Sequence, residues 1–191
     1  MPGFRVARTL QKTGWRASDT AELHFNDVFV PESHRIGDEG SGFATIMRTF
    51  QQERMALAAF GHASAEIALD EAMAHVRTRQ AFGKPLAAFQ ITRHKLAQMS
   101  TQVTAAKTFN YVVGRRIADG AYLPREVSMA KNLSARVAEE VCREAVQLLG
   151  GSGYMRDSIV ERLSRDVRIL AIGGGTSEMM NEVIAKMLPL R

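Results

Sequence analysis

The sequence is poor in cysteine and in long apolar runs, and each shortage excludes a class of protein. The single cysteine, Cys142, excludes an internal disulfide framework, fits a reducing compartment, and leaves no Cys/His cluster for zinc. No apolar run reaches the roughly 18 residues that a transmembrane helix needs. The first ten residues, MPGFRVARTL, contain no apolar segment of a secretory signal. We therefore expect a cytoplasmic protein, or one of the mitochondrial matrix in a eukaryote, without a membrane span.

The chain carries only a modest excess of positive charge. It has 25 lysine and arginine residues against 20 aspartate and glutamate residues, which gives a net charge of +5. The basic residues are scattered along the chain and form no lysine-rich tail. This distribution is typical of a solvated surface, so we expect no nucleic-acid partner.

Residues 1–36 have the pattern of β structure. The segments FRVART and TAELHFNDVFVP read as strands, because Leu23 and Phe25 alternate with polar residues. Asn26 and Asp27 favour a turn, and Pro31 closes the segment. Two or three short strands do not form a stable sheet alone, so these residues are interpreted as the remnant of a β domain.

Residues 37–191 have helical periodicity and are expected to form a second domain. The first helix begins near Gly42, and Gly83 with Pro85 breaks the pattern before the second helix, near Ala87. Gly120 suits the end of the second helix and Pro124 the start of the third. A fourth helix capped by Asp157 and a last one from about Thr176 follow. Short connections favour an antiparallel up-down bundle, so the predicted fold is mainly α. The expected inward stripe of the first helix is Phe43, Ile46, Met47, Phe50, Leu57, Phe60, Ala63 and Ile67.

The stretch AIGGGTSEMM, which starts at Ala171, contains three consecutive glycines before a helical segment. It is neither a Walker loop nor a dinucleotide fingerprint, because it lacks the G-K-[ST] ending and follows a helix. One interpretation is a flexible turn with Thr176 or Ser177 as the N-cap of the last helix. The other is that exposed amides at the helix N-terminus hold an oxygen or phosphate of a ligand.

Three other stretches leave a structural and a functional interpretation open. In TRQAFGKPLAAFQ, Arg79 could contact a diphosphate, or the segment could be a simple helix hairpin with Phe82 in the core. In AVQLLGGSGY, Gln147 precedes a glycine pair that could merely stop a helix. In FQQERMALA, Glu53 lies between the expected inward positions Phe50 and Leu57. A carboxylate so close to an apolar face is costly unless it is paired or has a chemical role.

Together these stretches resemble the C-terminal part of the acyl-CoA dehydrogenase family, over essentially the whole chain. GWRASDTAELHFNDVFVP is similar to the end of the family's middle β domain. RQAFGKPLAAFQ, QLLGGSGYMRD, VERLSRDVRIL and GTSE are similar to motifs of its C-terminal helical bundle. The resemblance implies FAD-dependent α,β-dehydrogenation of an acyl-CoA thioester to a trans-2-enoyl-CoA. It also implies an electron-transferring flavoprotein as acceptor and a homo-oligomer, a dimer or dimer of dimers, with FAD at the subunit interface.

The position of the catalytic base departs from most of the family. The family's glutamate usually stands just before the G-T-S of the glycine stretch, where this chain has Gly174. A branch that resembles isovaleryl-CoA and long-chain acyl-CoA dehydrogenases carries the base on the first long helix instead, and the matching residue is Glu53. The resemblance thus implies Glu53 as the base, with the backbone N–H of Gly174 donating to the thioester carbonyl.

The remaining implied roles follow the same motifs. Ala81 stands where the family often has glutamine, so only a backbone contact is expected from it. The implied acyl-CoA contacts are Gln51, Gln52, Glu53, Arg54 and Gly175. The implied FAD contacts are Arg79, Gln80, Ala81, Phe82, Phe89, Gln90, Gln147, Leu148, Leu149, Gly150, Gly151, Thr176, Ser177 and Glu178.

The family's N-terminal helical domain and most of its β domain are not in this sequence. We therefore expect the chain alone to bind FAD poorly and to show little activity. A non-catalytic oligomerisation module and a flavin oxidase remain as alternatives, and the chain-length preference for the acyl group stays open.

Overall fold

The computed structural model describes residues 1–189, which form a β-hairpin followed by a helical bundle. The hairpin pairs β1 (Phe4–Thr9) with β2 (Ala21–Phe25) in antiparallel register, and Val6 lies opposite Leu23. The sheet has no cover on either face: Leu23 is 48% exposed and Phe25 67%. The two predicted strands are therefore confirmed, but the predicted half-burial is absent in residues 1–189.

Most of the rest of residues 1–189 lies in six helices, so the mainly α prediction is confirmed. They are α1 (Gly42–Thr78), α2 (Gln90–Ala118), α3 (Pro124–Leu149), α4 (Gly151–Tyr154), α5 (Ile159–Asp166) and α6 (Ser177–Lys186). A two-residue hairpin, β3 (Gln80–Ala81) with β4 (Lys84–Pro85), joins α1 to α2. Three 3-10 turns lie at Glu32–His34, Leu86–Ala88 and Val167–Ala171. None of the helices within residues 1–189 has the length and apolarity to cross a bilayer.

Several predictions of helix ends are confirmed, and two are wrong. Pro124 opens α3, and Gly120, with φ +89°, follows the end of α2. Asp157 does not cap α5, because Ser158 occupies the N-cap position. The glycine pair at 150–151 does not only stop α3: α4 begins directly at Gly151.

Side-chain contacts between the helices give an up-down-up arrangement of α1, α2 and α3. Lys107 and Asn110 of α2 contact Glu66 and Ala58 of α1 in reverse order along the chain, so these helices are antiparallel. The contacts of α2 with α3 also run in reverse, with Lys95 and Gln102 bonded to Glu144 and Glu140. The predicted bundle topology is thus confirmed for the three long helices.

Small residues bring α1 and α3 unusually close together. The buried residues of both helices are mostly small: Ala58, Gly61, Ser64, Ala65, Ala68 and Ala72 on α1, and Ser134, Ala135, Ala138, Cys142 and Ala145 on α3. A Cβ atom on Gly61 would lie 2.9 Å from the backbone oxygen of Ser134 and 3.0 Å from its Cβ. The thiol of Cys142 lies inside this interface, where burial raises its pKa to about 12.

The inward stripe predicted for α1 is largely wrong. Phe43 is 75% exposed, Ile46 50% and Ile67 42%. The reason is that α3 packs against the face of α1 that carries small residues. A prediction from hydrophobicity favours the face with large apolar side chains instead. The large side chains near the start of α1 therefore remain on the surface of this chain.

The small-residue interface leads to a matched pair of stability predictions. Gly61→Ala should destabilise the bundle by about 1–3 kcal/mol, since the new methyl meets rigid backbone of α3. Gly114→Ala, on α2, should instead stabilise it by about 0.5–1 kcal/mol, since its Cβ meets nothing within 4 Å and alanine favours helix. Urea unfolding followed by circular dichroism measures both. Equal effects from the two substitutions would contradict the close packing of α1 on α3.

The segment between β1 and β2 packs against the bundle at the end of α5. The backbone N–H of Trp15 donates to Oδ1 of Asp166 at 2.6 Å, and the Trp15 ring meets that of Phe60 edge to face at 5.3 Å. A Cβ on Gly14 would lie 2.6 Å from the backbone oxygen of Arg165, so glycine is required there. These contacts join the β-hairpin to the bundle.

Candidate functional site

The three-glycine turn, residues 173–175, lies against the middle of α1 and the first half of α3. Nε of Arg54 donates to the backbone oxygen of Gly174 at 2.8 Å, and Nζ of Lys131 donates to that of Gly175. Gly174 has φ +64° and Gly175 φ +103°, a region that glycine adopts without steric cost. The turn is therefore held from the bundle side by two cationic side chains.

Glu53 lies beside this turn. A Cβ atom placed on Gly174 would lie 3.7 Å from Oε1 of Glu53 and 2.7 Å from Cδ1 of Leu57. The carboxylate makes no hydrogen bond or ion pair with any residue in the 1–189 range, and the side chain is exposed. The two positions singled out from the sequence, Glu53 and Gly174, are thus neighbours, with a carboxylate close to the space that a larger residue at 174 would fill.

The turn also presents backbone donors. Within residues 1–189, the N–H groups of Gly174, Gly175 and Thr176 have no acceptor. Thr176 is the N-cap of α6, and its Oγ1 accepts the N–H of Met179 at 3.3 Å, so one of the two predicted caps is confirmed. The pKa of Glu178 is lowered by its own backbone N–H, by the Thr176 hydroxyl and by the charge of Lys131. The Glu53 carboxylate and N–H groups with no acceptor in residues 1–189 thus occur together at this turn.

The glutamine pair before Glu53 has two different environments. Gln51 is engaged within the fold: its Oε1 accepts the N–H of Leu123 at 2.7 Å, and its Nε2 donates to the oxygen of Ala121 at 3.4 Å. Gln52 is exposed. Both border an open groove between the start of α1 and the α2–α3 connection, also lined by Phe43, Met47, Arg48 and Tyr122.

The other predicted contact segments lie at the opposite end of the bundle. Arg79 follows the end of α1, which at the helical rise of 1.5 Å per residue is roughly 40 Å from Glu53. Gln147 lies on α3 roughly 24 Å beyond Lys131 by the same measure. One chain therefore brings together the turn, Glu53 and Arg54, and separates them from the motifs at 79–90 and 147–151.

Phe82 is not in the core. It is 96% exposed at the tip of the β3–β4 hairpin, has φ +50°, and contacts Phe89 edge to face with 6.3 Å between the ring centres. The core interpretation of this residue is wrong, because the two-residue strands turn its side chain away from the helices. Arg79, Gln80 and Gln90 are also exposed, and Ala81 is half-buried.

Sequence reasoning missed Lys131, which is only 1% exposed. Its spacing in the sequence could have indicated burial. Lys131 lies four residues after Val127 and three before Ser134, which places all three on one face of α3, and that face is buried. Over residues 1–189 there is no group of three or more histidine, cysteine or acidic side chains that could hold a metal ion.

The chain is similar to known proteins over almost its whole length. Residues 40–188 match the family model described as "Acyl-CoA dehydrogenase, C-terminal domain". The chain is 38% identical over 188 residues to the mitochondrial isovaleryl-CoA dehydrogenase of Oryza sativa subsp. japonica, covering 98% of this chain and 46% of that protein. It is 36% identical over 193 residues to the mitochondrial long-chain specific acyl-CoA dehydrogenase of Mus musculus, covering 98% and 44%.

A solved structure, a probable acyl-CoA dehydrogenase from Mycobacterium abscessus, has a TM-score of 0.94 and 54% identity, over 97% of this chain and 49% of that one. The chain thus spans about half the length of the curated relatives that it matches. From the family match and these similarities, together with the motifs in register along the bundle, the chain belongs to the acyl-CoA dehydrogenase family.

Proposed function

We propose that the protein carries out FAD-dependent α,β-dehydrogenation of an acyl-CoA thioester, with Glu53 as the base that removes the α-proton. The observation that carries the proposal is the position of the Glu53 carboxylate beside a glycine turn with free N–H groups. An acyl-CoA α-proton is weakly acidic, so its removal needs both a nearby base and donors for the charge that develops on the thioester oxygen.

The residues of the turn divide these tasks. The N–H of Gly174 would donate to the thioester carbonyl, and the absence of a side chain at 174 leaves room for the thioester. Glu53 then takes the α-proton, while the β-hydrogen leaves with its electron pair. Arg54 contributes by holding the Gly174 carbonyl away from the substrate. Gln52 and the neighbouring groove would contact the CoA moiety.

FAD, when bound, supplies the oxidant by accepting the β-hydrogen and its electron pair. Part of this chain fits such a group: the N-terminus of α6, with Thr176, Ser177 and Glu178, offers donors next to the proposed base. Arg79, Gln80, Phe82, Phe89 and the segment 147–151 are far from that place within one chain, so we propose that they contact the FAD of a second subunit. Homo-oligomerisation, and electron-transferring flavoprotein as acceptor, belong to the same proposal.

The test is anaerobic mixing of the FAD-loaded protein with a panel of straight and branched acyl-CoA thioesters. We expect loss of the visible flavin absorbance together with an enoyl-CoA product that is two hydrogens lighter by mass spectrometry. Pivaloyl-CoA, which has no α-hydrogen, is the control and should leave the flavin oxidised. Reoxidation by oxygen at the turnover rate would identify an oxidase in place of a dehydrogenase.

The same test addresses an oligomerisation module. If the protein binds FAD stoichiometrically but no thioester reduces the flavin, the proposed dehydrogenation is contradicted and a non-catalytic oligomerisation module is favoured. The 191-residue chain by itself should bind FAD weakly, because the relatives are about twice its length, so the protein is loaded with FAD at saturating concentration for this test.

A further inference from the structure

Lys131 is a buried lysine with no carboxylate bonded to it. Lys131 is 1% exposed, and within residues 1–189 its ammonium is bonded to a backbone oxygen and forms no ion pair. Lysine is almost never fully buried unless it is paired, so this position needs an explanation. Burial lowers the pKa of Lys131, the charge of Arg54 lowers it further, and Glu178 acts in the opposite sense. Within the part of the chain that the structure describes, the ammonium makes one hydrogen bond, to the oxygen of Gly175.

That hydrogen bond fixes the direction of a peptide group. Every peptide bond described is trans, so C=O and N–H point in opposite directions across each peptide plane. Holding the Gly174 oxygen at Arg54 therefore turns the N–H of Gly175 away from Arg54. Holding the Gly175 oxygen at Lys131 likewise turns the N–H of Thr176 away from Lys131. The two cations thus fix the orientation of two consecutive peptide groups in the turn that lies beside Glu53.

A purely structural role explains this arrangement poorly. α6 already has an N-cap in Thr176, so the helix does not need Lys131 to begin. A methionine would fill nearly the same space without the desolvation cost of a buried charge. What methionine would not supply is a donor for the Gly175 oxygen. A cation at a carbonyl also polarises its peptide and strengthens the N–H on the other side.

We propose that Lys131 is a positioning residue: it holds the Gly175–Thr176 peptide so that the turn presents its N–H donors to the bound thioester and cofactor. The catalytic consequence rests on the proposed function, whereas the orientation of the peptide does not. Lys131 itself does not touch the reacting atoms.

The first test uses the 191-residue chain and amide NMR. Lys131→Met should shift the amide resonances of Gly175 and Thr176, with those of α1 and α2 unaffected. Lys107→Met, which removes a lysine paired with Glu66 on the bundle surface, is the matched control and should leave the turn unchanged. Lys131→Ala should regain the wild-type turn resonances on addition of propylammonium but not of propanol.

Wild-type turn resonances in folded Lys131→Met would overturn the proposal. Loss of folding in both Lys131 variants would overturn it as well, because the lysine would then serve the stability of the bundle and not the turn. In the FAD-loaded protein, Lys131→Met should lower kcat roughly ten- to a hundredfold with little change in KM. If the wild type shows no dehydrogenation, the proposed function fails while the NMR result still decides the role of Lys131.

Discussion

Glu53→Gln should lower the rate of flavin reduction by an acyl-CoA by roughly 10²- to 10⁴-fold, the contribution typical of a general base. Glutamine keeps the size and the hydrogen bonding of the side chain but cannot accept the α-proton. Since Glu53 is exposed and unpaired within residues 1–189, its replacement should leave the fold and the free energy of unfolding unchanged. The measurement is stopped-flow reduction of the FAD-loaded protein under anaerobic conditions.

Glu71→Gln is the matched control for this substitution. Glu71 is exposed on the same helix, roughly 27 Å further along, so its replacement should not change flavin reduction. Glu53→Asp retracts the carboxylate by one methylene, and its rate of flavin reduction should lie between those of the wild type and Glu53→Gln. A Glu53→Gln protein that reduces its flavin within tenfold of wild type would refute the assignment of the base.

Moving the carboxylate from α1 to the glycine turn should restore activity that the loss of Glu53 removes. A Cβ at 174 would lie 3.7 Å from Oε1 of Glu53, a separation that a glutamate side chain spans, so a glutamate there can reach the same place. Two obstacles are visible: φ +64° costs an L-residue about 1–2 kcal/mol, and Cδ1 of Leu57 would lie only 2.7 Å from the new Cβ. Leu57→Val removes the second obstacle.

The triple variant Glu53→Ala/Leu57→Val/Gly174→Glu should therefore reduce flavin at least tenfold faster than Glu53→Ala/Leu57→Val. We expect it to remain below wild type, because residue 174 is strained and the thioester has less room. The same background with Gly174→Gln is the control and should show no gain. No recovery in a folded, FAD-loaded triple variant would mean that the two positions do not serve one reacting centre.

Much of the fold could be predicted because its signals are local. Pro124 at the start of α3, Gly120 after α2 and Thr176 at the start of α6 act through their own backbone preferences, and each lies where the sequence indicated. The proximity of Glu53 to Gly174 could be predicted only from the resemblance of the chain to a known family. Nothing in the sequence of residues 42–78 indicates which loop packs beside this helix.

The errors share a physical cause: burial depends on the neighbouring element, which periodicity does not identify. Phe43 and Ile67 have the spacing of a buried stripe yet face solvent, since α3 packs against Gly61 and the alanines beside it. Phe82 is apolar but lies at a hairpin tip. Lys131 reads as a surface residue by its charge, although the turn at 173–175 packs over it.

The docking of Trp15 on α5 has a practical use. Trp15 is the only tryptophan in the chain, so its intrinsic fluorescence comes from a single place, the contact between the β-hairpin segment and the bundle. The emission wavelength reports whether that contact is closed, while far-ultraviolet ellipticity follows the helices. The unmodified polypeptide thus contains its own optical probe for release of the hairpin segment from an intact bundle.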